Sequence, residues 1–215
     1  MKLKVCGLNN PDNLRKLVKV NPDYIGFIFY EKSKRYIGDQ ISSKDLQQIP
    51  KNIKRVGVFV NEDLELVQYR AEQFGLDYVQ LHGKEIQSYC ARLFLKRIPI
   101  IKAFSIDESF DFRSVDAYTP FCSYFLFDTK GALHGGNGVK FDWTLLNNYD
   151  FMLPFFLSGG IKSGDAEIIK NLSLRMFYGV DINSQFETEP GVKDISKVQT
   201  FKSKLNMINT ISYEY

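Results

Sequence analysis

The chain has 215 residues, 44% of them hydrophobic and 25% charged, with a formal net charge of +3. This fits one globular domain over residues 1–215 with a substantial core and excludes a disordered chain. The charge is mild and scattered, with no basic stripe among aromatics, so a small anionic ligand is expected and nucleic acid is not.

Short β-branched or aromatic runs recur from the start of the chain, and they are expected to be strands. They cover 3–6, 24–29, 55–60, 78–81, 100–104, 124–127, 155–157 and 176–180. Most read as near-continuous apolar stretches, the pattern of parallel strands covered on both faces. Polar segments with helical spacing lie between them, at 12–20, 64–74 and 165–172, with Asn10, Asn61 and Ser163 as expected caps. After 205 only a last helix and tail suggest themselves. Eight βα units point to a closed (β/α)₈ TIM barrel; a doubly wound open sheet competes, but no GxGxxG follows the first strand.

Nothing marks a membrane protein or an exported one. No apolar run approaches the ~18 residues of a membrane span, and no apolar segment follows the N-terminal lysines. Cys6, Cys90 and Cys122 are an odd number without CxxC spacing, which argues against a disulfide framework and for a reducing, cytoplasmic compartment. His82 and His134 lack partners at metal-ligand spacing, so no metal site is expected.

A barrel places function at the C-terminal ends of its strands. Ser158-Gly159-Gly160 follows the seventh strand and Asp181 to Ser184 the eighth; both read either as ordinary βα turns or as a phosphate seat built from backbone N–H groups. Cys6 reads as a small buried hydrophobe or as a base. Strand alternation turns Lys4 to its side, where an ammonium would lower the thiol pKa from about 8.5. Asp128 at the end of the sixth strand is either a turn residue bonding the N–H of Thr129 or Lys130, or an acid. Arg35, in the charged loop after the second strand, is solvated surface or a clamp for a planar carboxylate.

Nine segments taken in order, KVCG at 4–7, GFIFYEKSKRYI at 26–37, VGVFVN at 56–61, VQLHG at 79–83, IKAF at 101–104, FDTKG at 127–131, GGNGVKFDW at 135–143, LSGGI at 157–161 and PGVKD at 190–194, resemble phosphoribosylanthranilate isomerases. The resemblance covers nearly the whole chain. It implies a (β/α)₈ barrel of tryptophan biosynthesis that turns N-(5'-phosphoribosyl)anthranilate into 1-(o-carboxyphenylamino)-1-deoxyribulose 5-phosphate, an Amadori rearrangement needing no cofactor or metal. It further implies Asp128 as general acid, Cys6 as general base and Arg35 as the arginine holding the anthranilate carboxylate. Gln80 and His82 would shape the pocket. Ser158, Gly159, Gly160, Asp181, Asn183 and Ser184 would lie at the phosphate end. Where many members carry a VSSG-like turn after the eighth strand, this chain has Ile182-Asn183-Ser184-Gln185, and Val139 replaces a frequent lysine. An imidazole-pathway isomerase barrel would use two aspartates, and Cys6 tells against it; a phosphosugar-binding barrel without catalysis is the rival outside enzymes. The expected partner is a phosphosugar substrate, and the expected state a monomer or homodimer.

Overall fold

The computed structural model describes residues 1–130 and 140–207. His134, Val139, residues 135–139 of the GGNGVKFDW segment and the tail from 208 lie outside these. Eight strands, β1 (Lys2–Cys6), β2 (Tyr24–Ile28), β3 (Lys54–Phe59), β4 (Tyr78–Leu81), β5 (Ile100–Ile106), β6 (Tyr124–Thr129), β7 (Phe155–Leu157) and β8 (Phe177–Ile182), form a closed barrel in sequence order. The seam closes by parallel pairing of β1 with β8, Leu3 opposite Val180 and Lys4 opposite Asp181. The architecture is therefore the expected (β/α)₈ barrel.

Period-two alternation sorts side chains between the barrel interior and the layer under the helices. On β6, Phe125 and Phe127 join the large outer core while Leu126 belongs to the inner one. Tyr24, Tyr78, Tyr124 and Tyr178 pack with Phe156 at the N-terminal end of the interior, ring centroids 4.7 to 6.4 Å apart. The Tyr24 and Tyr178 hydroxyls share a 2.9 Å hydrogen bond that satisfies both there.

One strand breaks the alternation. Phe155 pairs with Phe177 but Phe156 with Gly179, so β8 carries one extra residue. This bulge changes the parity of everything after it. Tyr178 belongs to the inner cluster and Val180 to the outer, and Asp181 therefore points inward beside Lys4.

The helices are α1 (Pro11–Val20), α2 (Ser43–Gln47), α3 (Leu64–Phe74), α4 (Gln87–Leu95), α5 (Ala166–Lys170) and α6 (Ile195–Asn206). Asn10 caps α1 as expected, its side chain accepting from Asn13 N–H at 2.9 Å with Pro11 following. Two expected caps are corrected. Asp63 caps α3, while Asn61 sits at φ 51° and accepts from Lys84 N–H at 2.6 Å. Ser163 opens a 3₁₀ turn before α5 instead of capping a helix over 165–172. The segments after β5 and β6 are also 3₁₀, Phe112–Tyr118 and Trp143–Asn148. Each buries only a pair three residues apart, Phe112 with Val115 and Trp143 with Leu146, which is the 3₁₀ repeat. The unforeseen helix α6 starts at Asp194, whose side chain accepts from Lys197 N–H at 3.0 Å. Among the described residues no helix is long and apolar enough to cross a membrane.

Outside the barrel, a buried ion pair ties the loop after β4 to β5. Lys102 donates to Glu85 at 3.0 Å and to the carbonyls of Gly83 and Leu81, and Glu85 accepts from Asn61 and Gly83 N–H. The pair is 3% and 2% exposed. Breaking it on one side leaves a buried charge alone, so Lys102→Met should lower unfolding free energy by about 3–5 kcal/mol in urea titration.

Candidate active site

Polar inward-facing positions line the C-terminal mouth. Lys4 and Cys6 project from β1, Gln80 and then His82 from the end of β4, Asp128 from β6, Ser158 just past β7, and Asp181 from β8 through its bulge. Cys6 is 4% exposed. It faces Gly26 on β2, where an added Cβ would stand 2.6 Å from the sulfur. The thiol therefore needs a glycine as its neighbour. Gly7, at φ +81°, has the same necessity on the other side, because a Cβ there would meet Arg35 Cδ and Asn183 Oδ1, each at 2.8 Å.

The interior is charged beneath the thiol. Lys4 donates to Asp181 Oδ2 at 2.8 Å, with side chains 0% and 5% exposed. Burial disfavours the ammonium, but the facing Asp181 and Cys6 charges outweigh it, so Lys4 stays protonated above its ordinary range. The expected net depression of the Cys6 thiol is corrected: burial pushes it up, with Asp181 adding to the rise, and although the Lys4 and Lys193 charges draw it down as expected of an ammonium, the rise prevails.

Asp128 is the turn residue of one reading and also faces the mouth. Its Oδ1 accepts from Thr129 N–H at 2.9 Å, and its Oδ2 lies 3.2 Å from His82 Nε2. Gln80 Nε2 donates to His82 Nδ1 at 2.7 Å, which leaves His82 Nε2 as the N–H aimed at Asp128. Burial pushes the Asp181 carboxyl above its ordinary range and the Asp128 charge adds to this, while Lys4 and His82 draw it down. Two buried oxygens there, Gln80 Oε1 and Asp181 Oδ1, have no partner among the described residues.

Gly159 and Gly160 have φ of 89° and 63°, so the turn after β7 adopts a backbone that favours glycine. A Cβ on Gly159 would strike Thr129 Oγ1 at 2.2 Å and Asp128 Oδ1 at 2.8 Å, so this turn lies directly against the carboxylate. Ser158 is 8% exposed. Pairing of β7 with β8 sets the turn beside the Asn183-Ser184 segment.

Two side chains assigned to the phosphate end are engaged elsewhere, Asp181 by Lys4 and Asn183 by Lys193, whose Nζ donates to Asn183 Oδ1 at 2.7 Å. Arg35 is gripped by Glu187: Nε donates to both carboxylate oxygens at 2.9 and 3.0 Å, and Nη2 to one at 2.7 Å. Sequence reasoning missed Glu187 altogether and gave Lys193 no role, although Lys193 lies in the quoted PGVKD segment. Arg35 lies 152 residues from Glu187, too far for spacing to disclose the pair.

A family profile described as N-(5'phosphoribosyl)anthranilate (PRA) isomerase matches residues 3–204. The N-(5'-phosphoribosyl)anthranilate isomerase of Parabacteroides distasonis is 43% identical over 204 residues, 94% of this chain and 91% of its own length. That of Phocaeicola vulgatus is 39% identical over 205 residues, 95% and 98% of the two chains. Among solved structures, the Thermotoga maritima phosphoribosyl anthranilate isomerase superposes with a TM-score of 0.79 at 32% identity, covering 95% of this chain and 98% of that one. A phosphoribosyl anthranilate isomerase in complex with reduced 1-(o-carboxyphenylamino)-1-deoxyribulose 5-phosphate gives 0.76 at 31%, with the same coverage. With its mouth lined by Cys6, Asp128 and the glycine turn, this chain belongs to the N-(5'-phosphoribosyl)anthranilate isomerase family.

Proposed function

We propose that the chain isomerises N-(5'-phosphoribosyl)anthranilate to 1-(o-carboxyphenylamino)-1-deoxyribulose 5-phosphate, with Asp128 as acid and Cys6 as base. The carrying observation is one closed mouth with a thiol and a carboxyl on different strands, joined by charges that face each other. The Lys4–Asp181 ion pair lies beneath Cys6, and Asp128 is joined to His82.

In this reading Asp128 gives its proton to the furanose ring oxygen, the C1'–O bond breaks, and the open Schiff base forms. The protonated imine acidifies the C2' hydrogen, so a thiolate is a competent base. Cys6 removes that proton, and the enolamine tautomerises to the aminoketose. Arg35 receives the anthranilate carboxylate on its free fork edge. The backbone N–H groups of the Gly159-Gly160 turn and the Asn183-Ser184 turn receive the phosphate, which suits their glycine-permissive geometry. Fixing both ends holds the reacting carbon between acid and base. Gln80 and His82 orient Asp128 from the opposite side, and Gln80 Oε1 and Asp181 Oδ1 offer acceptors to sugar hydroxyls.

The barrel works as one catalytic domain on a small phosphosugar, without nucleic acid or membrane, and needs neither metal nor cofactor in this chemistry. Its three buried free thiols suit a reducing cytoplasm. It acts as a monomer or homodimer.

Loss of fluorescence from the anthranilate group during turnover tests this reading. Cys6→Ala and Asp128→Asn should each reduce kcat by about 10²–10⁴-fold with circular dichroism unchanged. Rates like wild type in either variant would refute the assigned roles.

The base must be ionised, so kcat/KM should rise with pH through the thiol pKa. Lys4 draws that pKa down, and Lys4→Met should shift the acidic limb of the pH profile to higher pH. An unmoved limb would show that the ammonium does not tune the thiol.

A further inference from the structure

The PGVKD segment closes a small hairpin beyond the barrel whose placement the isomerisation chemistry leaves unexplained. Its strands β9 (Glu187–Glu189) and β10 (Val192–Lys193) pair antiparallel, with Lys193 opposite Glu187. The hairpin is pinned at Lys193: Lys193 N–H donates to Asn13 Oδ1 at 2.8 Å, and Asn13 Nδ2 donates back to the Lys193 carbonyl at 2.9 Å. Gly191 completes it at φ +93°, where a Cβ would strike Asn9 Oδ1 at 1.9 Å.

We propose that Glu187 and Lys193 are positioning residues that set the geometry and the charge with which Arg35 meets the substrate's carboxylate. Glu187 occupies the Nε and Nη2 side of the guanidinium through three contacts of 2.7 to 3.0 Å. That grip fixes the plane of the fork and leaves its Nη1 and Nη2 edge for a second planar carboxylate. A lone Arg35 and Glu187 pair would be neutral and a poor receptor for an anion. Lys193, donating to Glu187 Oε1 at 2.6 Å, restores a net positive charge to the group.

Burial argues for a purpose beyond stability. Lys193 and Glu187 are 0% and 5% exposed, and Arg35 is 16% exposed. Burying ions so deeply is costly, and apolar side chains of similar volume often stabilise as well or better. The cost appears in Lys193 itself, whose ammonium burial pulls down to about 8, against the Glu187 and Cys6 charges that support it. Glu187 in turn is held below its ordinary range by Arg35 and Lys193, despite its burial. A third ion is therefore kept where two would balance.

The inference rests on the reading of Arg35 as the carboxylate receptor, and its test separates the two. Reduced 1-(o-carboxyphenylamino)-1-deoxyribulose 5-phosphate and the same compound without the ring carboxyl would be titrated calorimetrically against wild type, Arg35→Met, Lys193→Met and Glu187→Gln. Lys193→Met and Glu187→Gln should each weaken the carboxylated ligand roughly tenfold, the scale of one lost charge-assisted contact, and leave the other ligand's affinity unchanged. Equal weakening of both ligands would make the pair merely structural, and no weakening would remove any role; either result overturns the proposal. If Arg35→Met fails to discriminate the ligands, the receptor reading falls first. If it discriminates and the other two variants do not, the proposal alone is lost. Should Lys193→Met not fold, Glu187→Gln decides, since the amide keeps the size of the acid while removing its charge and one acceptor.

Discussion

The barrel is closed by a salt bridge that lies inside it. Lys4 and Asp181 stand opposite each other on the first and last strands, so the contact that joins the ends of the sheet also charges the floor under Cys6. Taking both ions out of water is expensive, and the 2.8 Å geometry offsets it only because each finds the other. The thiol above this pair is not electrically isolated. Its ionisation is penalised by the dry surroundings and by Asp181, and is assisted by the ammonium. The ionisation of the thiol and the closure of the seam therefore depend on the same two side chains.

A second consequence is a division of labour among the buried ions. Lys102 and Glu85 lie outside the barrel and fix the loop that follows β4, so His82 emerges from a braced segment. Glu187 and Lys193 lie at the rim beside Arg35. Each pair holds backbone or a fork in place where the apolar layers do not reach, and each depends on near-complete burial to be directional. The aromatic layer does the complementary work where helices are replaced by 3₁₀ turns. Phe112, Phe127, Tyr149 and Phe155 fill that space with rings 5.1 to 6.4 Å apart.

Much of this was legible in the sequence because alternation is a local property. The apolar runs marked the eight strands in order, and Cys6 and Asp128 stood at strand ends where a barrel exposes its mouth. What alternation could not disclose is a change in its own phase: β8 continues two residues past the expected Val180, and the extra residue near Tyr178 turns Asp181 inward. Glu187 was invisible for another reason, since Arg35 and Glu187 are 152 residues apart and only the closed fold brings them together. The 3₁₀ turns after β5 and β6 drew no expectation, because a single buried pair three residues apart is too short a pattern to mark an element. The misplaced caps reflect a competition, in which Asn61 spent its side chain on the neighbouring loop.

The bulge on β8 also bears on how this barrel can change over time. Replacing Phe177 or Tyr178 disturbs local ring packing and a side chain on Gly179 would strike the Lys2 backbone, whereas adding or removing a residue there would carry Asp181 from the interior to the layer beneath the helices and bring Val180 in its place. Lys4 would then face a hydrocarbon, and the segment through Asn183 would present its opposite side to the mouth. Loops elsewhere can lengthen without such an effect. For this strand the number of residues is as much an inherited quantity as their identity.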